Sequence, residues 1–417
     1  MTKKTDNNKK KAAIIVQHLA KGGAEASAAR LSIGLSNLGY DVTLIIFHSL
    51  IEYEYKGNII SLNIDFLEKN LLQRIFLFFK KIRTVSRIKK QNSFYTCISF
   101  MENANFINIL SKQKEKLIVS TRNDIELMLK SLPFYKKFFM KTLYKKVFAY
   151  VLISKKMKQD AVKLLKIKPD KTKLLYNPIN NQKIKDLAGR DAGKYSCIFK
   201  HPVLVNSGRL SGQKGQWHLI RIMKILLKDF KELKLILLGY GDGDLKEYLV
   251  NLSRTLGLKT YAEWENASIN DDYDVYFTGF LKNPYSLIAR SKIFLFPSIS
   301  EGLGNALIEA MICAVPVISS DCKTGPRDIL APDTDCNKTA ETPEHAPFGI
   351  LMPPFNDSLK TSDEITDTTE TMWINTIKEL LNNNEKREMY ALSAEKRGYD
   401  FDVHKIIQGW TDIIESE

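Results

Sequence analysis

Two carboxylates, Glu301 and Glu309, bracket the run Glu301-Gly-Leu-Gly-Asn-Ala-Leu-Ile-Glu309. The paired oxygens of a carboxylate accept two hydrogen bonds side by side, which suits a vicinal diol on a sugar or a ribose. Gly302 and Gly304 stand where the chain is expected to turn into a helix. Small residues there let backbone N–H groups approach an anion at the positive end of the helix. The same glutamates also fit a plainer role, as acids that complement a helix N-terminus. A second group lies in Asn206-Ser-Gly-Arg209-Leu-Ser-Gly-Gln-Lys214-Gly, where Arg209 and Lys214 are five residues apart. A forked guanidinium beside a mobile ammonium suits a diphosphate, although solvated surface cations are the ordinary alternative. A third group, Leu238-Gly-Tyr-Gly-Asp-Gly243, is a glycine-rich turn of a kind that often only connects elements.

The elements around these residues alternate. Ala12 to Gln17 reads as a strand, His18 to Glu25 as a loop holding Gly22 and Gly23, Ala24 to Leu38 as a helix ended by Gly39, and Asp41 to Phe47 as a second strand. That order makes a βαβ unit of a parallel sheet. Leu117 to Ser120 and Tyr150 to Ser154 are further strands of this half. The pattern restarts with strands at Val203 to Asn206, Leu233 to Leu238, Val275 to Phe277, Ile293 to Phe296 and Val315 to Ser319. The expectation is an α/β chain of two facing Rossmann-like domains, 1–190 and 191–395, with a tail, 396–417, that crosses back. Sheets of this kind take ligands beyond the carboxyl ends of their strands, so the cleft between the halves is the expected site. Ala331 to Phe348 and Asn356 to Thr371 read as surface loops, and Trp373 to about Lys396 as one long helix.

A chain of 417 residues accommodates two cores. Its five cysteines are odd in number and widely spaced, which argues against a disulfide framework or a zinc site. No apolar run reaches the length of a spanning helix, and Met1 to Lys11 is polar and lysine-rich, so the expected location is cytoplasmic. The net charge of +15 attracts anions. Part of it is concentrated in two stretches without acids. In Lys69 to Met101, Leu71, Leu72, Ile75, Phe76, Phe79, Ile82 and Val85 fall near one helical face, interleaved with Arg74, Lys80, Lys81, Arg83, Arg87, Lys89 and Lys90. In Lys130 to Lys156, Phe134, Tyr135, Phe138, Phe139, Tyr144 and Phe148 alternate with Lys136, Lys137, Lys141, Lys145 and Lys146. Basic, aromatic-rich amphipathic helices suit an anionic membrane interface; ordinary helices with solvated lysines are the alternative.

Taken in order, Gly22-Gly23-Ala24-Glu25, Asn177-Pro178, Ser207-Gly208-Arg209 with Lys214, Gly239-Tyr240-Gly241, Thr278-Gly279-Phe280 and Glu301 with Glu309 resemble family 4 of the retaining glycosyltransferases, which have the GT-B fold. The resemblance runs from about Ala12 to Leu330 and is more specific in its second half. It is nearest to bacterial enzymes that build capsule, O-antigen or other glycans on lipid carriers; Thr324-Gly-Pro-Arg327-Asp-Ile is one reason.

The resemblance implies roles. Arg209 and Lys214 would hold the donor diphosphate, Glu301 would contact the transferred sugar, and Glu309 would hold the ribose. Gly302, Leu303, Gly304 and Asn305 would offer backbone groups to the sugar or phosphates, Gly279 and Phe280 would receive the base with help from Gly241, and Gly22 and Gly23 would approach the donor phosphate. It implies no cofactor and no metal, only a nucleotide-sugar donor. The expected carrier is UDP, with a hexose or N-acetylhexosamine as cargo. The expected acceptor is a saccharide on a polyprenyl diphosphate at the inner face of the plasma membrane. Many relatives carry a histidine on the first domain facing the sugar; here the stretch reads Val119-Ser-Thr-Arg122-Asn123-Asp124. Arg122 and Asn123 are candidates for sugar or acceptor contact, as is His18, while a turn capping the next helix is the alternative.

Other functions fit less well. A nucleotide-sugar 2-epimerase shares the fold but needs acid and base groups around the sugar. A glycoside hydrolase uses two carboxylates without a diphosphate cradle. A nucleic-acid-binding protein would explain the charge, but no recognition motif accompanies it. A non-catalytic binding module would have to carry all four of Arg209, Lys214, Glu301 and Glu309 to no purpose.

Overall fold

The computed structural model describes residues 9–20, 22–64, 70–241, 243–361 and 366–417. Lys69 and Asp242, part of the lysine-rich N-terminus and part of the acidic segment after Asn356 lie outside the described residues.

The chain forms two compact units, one running to Pro178 and including Val403–Glu417, the other spanning Ile179–Asp402. The first is built from β1 (Lys11–Val16), α1 (Gly23–Asn37), β2 (Asp41–Ile46), β3 (Asn58–Ser61), α2 (Leu71–Asn92), β4 (Thr96–Phe100), α3 (Glu102–Leu110), β5 (Lys116–Thr121), α4 (Ile125–Ser131), α5 (Phe134–Leu143), β6 (Ala149–Leu152), α6 (Lys155–Leu165) and β7 (Thr172–Leu174). Its strands pair in parallel in the order β3-β2-β1-β4-β5-β6-β7. β4 and β6 are buried along their length and β1 from Ala12 onward, so they read as largely apolar runs.

The second unit contains α7 (Asn181–Ala188), β8 (Val203–Ser207), α8 (Gln216–Leu226), β9 (Lys234–Leu238), α9 (Asp244–Thr255), β10 (Thr260–Ala262), β11 (Val275–Phe277), α10 (Tyr285–Ile288), β12 (Ile293–Phe296), α11 (Asn305–Ile312), β13 (Val317–Ser320), α12 (Pro326–Leu330), β14 (Glu344–Ala346), β15 (Gly349–Met352), α13 (Thr368–Asn382) and α14 (Asn384–Gly398). The sheet order is β10-β11-β9-β8-β12-β13-β15-β14, parallel except for the β14–β15 pair. The final helix, α15 (Val403–Glu415), belongs to the first unit.

Three sequence expectations need correction. The first unit ends at Pro178 and not at 190, because α7 packs within the second unit: Asn181 Nδ2 donates to the Gly398 carbonyl at 3.1 Å. The segment Ala331 to Phe348 is a loop through 343, as expected, but it is anchored and ends in β14. The buried Arg327 donates to Asp321 at 3.1 Å, Thr334 at 3.1 Å and Glu344 at 2.8 Å, and β14 closes the sheet edge. The long helix from Trp373 is two helices, broken at Asn383, whose extended backbone lets its side chain cap α14 through the Lys386 N–H.

Two contacts hold the elements that matter for the site. α15 lies against α1, where a Cβ on Gly34 would fall 2.6 Å from Ile407, so only glycine allows this approach. Trp410 is fully buried and its ring centroid is 5.8 Å from Phe100 at the end of β4. In the second unit, α8 is tied to α13 by buried charges: His218 and Arg221 Nε meet Glu370 Oε1 at 3.1 and 2.9 Å. Burial alone would raise the Glu370 carboxyl; hydrogen bonds from His218 and Arg221 with the charges of Arg221 and Lys360 prevail and hold it at about 2.

Trp410→Ala should lower the unfolding free energy by about 3–5 kcal/mol, measured by denaturant titration. The folded pKa of Glu370 lies below its ordinary 4.5. Its contribution is therefore complete above that pH and lost as pH falls through about 2. Glu370→Gln should remove about 3 kcal/mol at pH 7 and flatten the stability curve across that window, read by denaturant titration at each pH.

Candidate functional site

The loops at the carboxyl ends of β8 and β12 meet. Gly215 adopts φ +64°, and a Cβ there would come within 2.5 Å of the Pro297 carbonyl oxygen. The Ile299 N–H donates to Gln213 at 2.9 Å. This close approach carries Lys214, at the end of the β8 loop, onto Glu301, in the β12 loop: the ammonium donates to the carboxylate. Their side chains are 19% and 10% exposed, so the pair is mostly shielded yet open to a ligand. Lys214 Nζ also lies 5.5 Å from the centroid of Phe296, and its stem passes over Gly208. Thr324 donates through its hydroxyl to the Glu301 carbonyl, and Gly325, at φ +97°, leaves room for the Leu303 carbonyl, which a Cβ would strike at 2.1 Å. α11 then begins at Asn305 without a side-chain cap.

These contacts give the β12 loop a fixed shape around a carboxylate, an ammonium and the N-terminus of α11. An ammonium has three donors, so Lys214 can keep Glu301 and still reach a phosphate oxygen. Leu303 has its side chain buried, which leaves only its backbone for a ligand, and Gly302 is half-buried. Glu309 sits half-buried on α11. Arg209 is exposed in the β8 loop. Gly241 packs against Leu210, so its smallness serves the joining of two loops. Gly239 and Gly279 bridge the ends of β9 and β11, and the Gly239 N–H donates to the Gly279 carbonyl at 3.1 Å. Beside them Phe280 is 70% exposed, edge-on to Tyr240 at 6.2 Å, which offers an aromatic face at a strand end. Thr324 and Phe296 were not singled out as site residues in the sequence. Thr324 stood within a quoted motif, and Phe296 within an apolar strand that carries no signal of a site.

In the first unit Gly22 caps α1 with extended backbone, and the Glu25 carboxylate folds back to the place a Gly22 side chain would occupy. Gly23 opens the helix and is exposed. His18 Nδ1 accepts from the Ala20 N–H at 3.3 Å within the loop after β1. Asp124 caps α4 by accepting from Leu127 at 3.0 Å, and Asn123 is exposed. Arg122 is buried; it bonds Asn177, and its guanidinium lies 4.8 Å from the Phe100 ring centroid.

The two basic stretches also need correction. Lys81 and Lys89 are buried: Lys81 lies 4.7 Å from the Phe47 ring centroid, and Lys89 donates to Glu115 at 2.8 Å and to Asn108. Tyr144 is buried too, 5.1 Å from Tyr150. Conversely, Leu72, Phe76 and Phe79 on α2 and Phe134, Tyr135, Phe138 and Phe139 on α5 are exposed, from 53 to 83%. Most of the aromatic residues on α2 and α5 point outward, and part of the positive charge points in.

Known proteins resemble this chain in sequence and in fold. Residues 198–344 match the family described as Glycosyl transferases group 1, and residues 21–183 match Glycosyltransferase Family 4. An uncharacterized glycosyltransferase of Methanocaldococcus jannaschii is 36% identical over 63% of this chain; the match spans 61% of that protein's own length. The N-acetylgalactosamine-N,N'-diacetylbacillosaminyl-diphospho-undecaprenol 4-alpha-N-acetylgalactosaminyltransferase of Campylobacter jejuni is 28% identical over 95% of this chain and 97% of its own. Among solved structures, Anabaena HepE in complex with UDP and glucose has a TM-score of 0.71 at 17% identity, covering 97% of this chain and 99% of that one, a likeness of fold. With both units matched and the GT-B fold shared along the chain, this protein belongs to glycosyltransferase family 4.

Proposed function

We propose that this chain transfers a hexose or N-acetylhexosamine from a UDP-sugar, with retention and without a metal, to a saccharide on a polyprenyl diphosphate, for capsule, O-antigen or glycan assembly. The observation that carries this reading is the contact of Lys214 with Glu301 beside the uncapped start of α11. It joins a phosphate-binding cation to a hydroxyl-binding carboxylate. In this reading Arg209 and Lys214 take the diphosphate and balance the charge that develops as it leaves. Glu301 accepts hydrogen bonds from the sugar hydroxyls, Glu309 from the ribose, and the base lies by Gly279 and Phe280. The C1–O bond to the diphosphate breaks while the acceptor oxygen bonds C1 on the same face. The acceptor's hydroxyl proton passes to a departing phosphate oxygen. Leu303, Gly304 and Asn305 serve through their backbone.

The acceptor side rests on two supports. One relative that aligns along nearly the whole chain acts, by its name, on a diphospho-undecaprenol-linked sugar. The other is the outward aromatic faces of α2 and α5 with the exposed Lys80 and Lys136 among them. Among the described residues no helix is long and apolar enough to cross a membrane. Aromatic side chains entering the headgroup region, with lysines above them, would hold the first unit on an anionic surface at the inner face of the plasma membrane.

Calorimetry with UDP, GDP and UDP-sugars should show saturable binding of a uridine nucleotide. Glu309→Ala and Lys214→Ala should lower sugar transfer by at least about a hundredfold with the fold intact; near-normal turnover in either would defeat the site. Each lysine at an anionic surface contributes about 1 kcal/mol, so Lys80→Glu with Lys136→Glu should weaken sedimentation with phosphatidylglycerol vesicles about tenfold or more. Phe76→Ser with Phe138→Ser should weaken it further. Unchanged sedimentation would mean that these faces do not meet lipid.

A further inference from the structure

Arg122 follows directly on β5, at the carboxyl end of the first unit's sheet, where parallel sheets take their ligands. It is only 6% exposed. One guanidinium nitrogen, Nη1, donates to Asn177 Oδ1; Ser27 Oγ lies 3.2 Å from the same oxygen and 2.8 Å from the Gly23 carbonyl, its one proton serving either. The ring of Phe100 packs 4.8 Å from the guanidinium. The group is thus fixed in position from the end of β4, from α1 and from the segment after β7.

Its other two nitrogens, Nε and Nη2, are buried and donate to nothing. Burial pushes Arg122 down to about 9, still cationic at neutral pH. A buried cation with two idle donors is costly, and the cost is relieved only by a partner with two oxygens that fit the fork. Among the described residues nothing pairs with Nε or Nη2, whereas Lys89, the comparable buried cation of this unit, has Glu115 and Asn108.

We propose that Arg122 is an oxyanion receptor, its Nε–H and Nη2–H forming a two-pronged site for a phosphoryl group of the acceptor. The assignment to the acceptor rests on the lipid diphosphate reading above; the oxyanion site itself does not. The same chemistry could come from the donor's diphosphate, and the test separates the two sources.

Inorganic pyrophosphate and UDP are titrated by calorimetry into the full chain, with Lys214→Ala as the background that removes the donor-side ammonium. Pyrophosphate should still bind the Lys214→Ala chain, and adding Arg122→Met should weaken it about tenfold or more. UDP should bind the single Arg122→Met variant within about twofold of the parent. Pyrophosphate should raise the melting temperature of the Lys214→Ala chain and not of the double variant. Arg122→Lys keeps the charge and loses the fork, so it should lose pyrophosphate affinity as well. UDP weakened as much as pyrophosphate would overturn the acceptor assignment. Undiminished pyrophosphate affinity in Arg122→Met, or in Arg122→Lys if the first variant does not fold, would overturn the site. Failure of the glycosyltransfer reading would look different: the parent chain would not bind UDP.

Discussion

The contact of Lys214 with Glu301 depends on two loops lying close enough for their backbones to touch. A Cβ at Gly215 would overlap the Pro297 carbonyl, and one at Gly325 would overlap the Leu303 carbonyl. These glycines let three strand ends of the second sheet converge. Charge chemistry follows from that convergence, because an ammonium and a carboxylate separated by 87 positions in sequence become hydrogen-bonded neighbours. The rest of the second unit keeps the convergence rigid. α8, which starts just after Lys214, is tied to α13 through His218, Arg221 and Glu370; Arg327 and Asp321 fix the chain beyond β13.

The first unit solves a different problem. Its sheet is buried on β1, β4 and β6, and α15 returns to pack Trp410 against Phe100. Charged groups inside it are handled in two ways. Lys89 is fully answered by Glu115 and Asn108, while Arg122 is held in place by Asn177 and left with donors to spare. An answered buried charge fixes architecture; an unanswered one is costly and calls for an explanation.

Much of the fold was legible because buried parallel strands are short apolar runs: Val275–Phe277 and Ile293–Phe296 stand where the sequence placed them. β4 was missed because Thr96–Phe100 lies inside an acid-free stretch whose charge drew attention to amphipathicity. The helix from Trp373 was read as continuous because its apolar spacing persists; the break depends on Asn383 adopting a cap conformation, which periodicity does not register. Lys81 and Lys89 looked like surface cations because the groups that make their burial tolerable, Phe47 and Glu115, are remote in sequence. The glycine and glutamate positions of the second unit were legible as a motif. The contact between Lys214 and Glu301, the burial of Arg122 and the outward turn of the α2 and α5 aromatics needed coordinates.

Nucleotide binding by the loops of the second unit can be read by hydrogen–deuterium exchange of the full chain with and without UDP. Exchange should slow in the segments around Ser207–Gly215, Gly279–Phe280 and Gly302–Asn305. Saturating UDP that leaves those segments unchanged, or protects only the first unit, would contradict it.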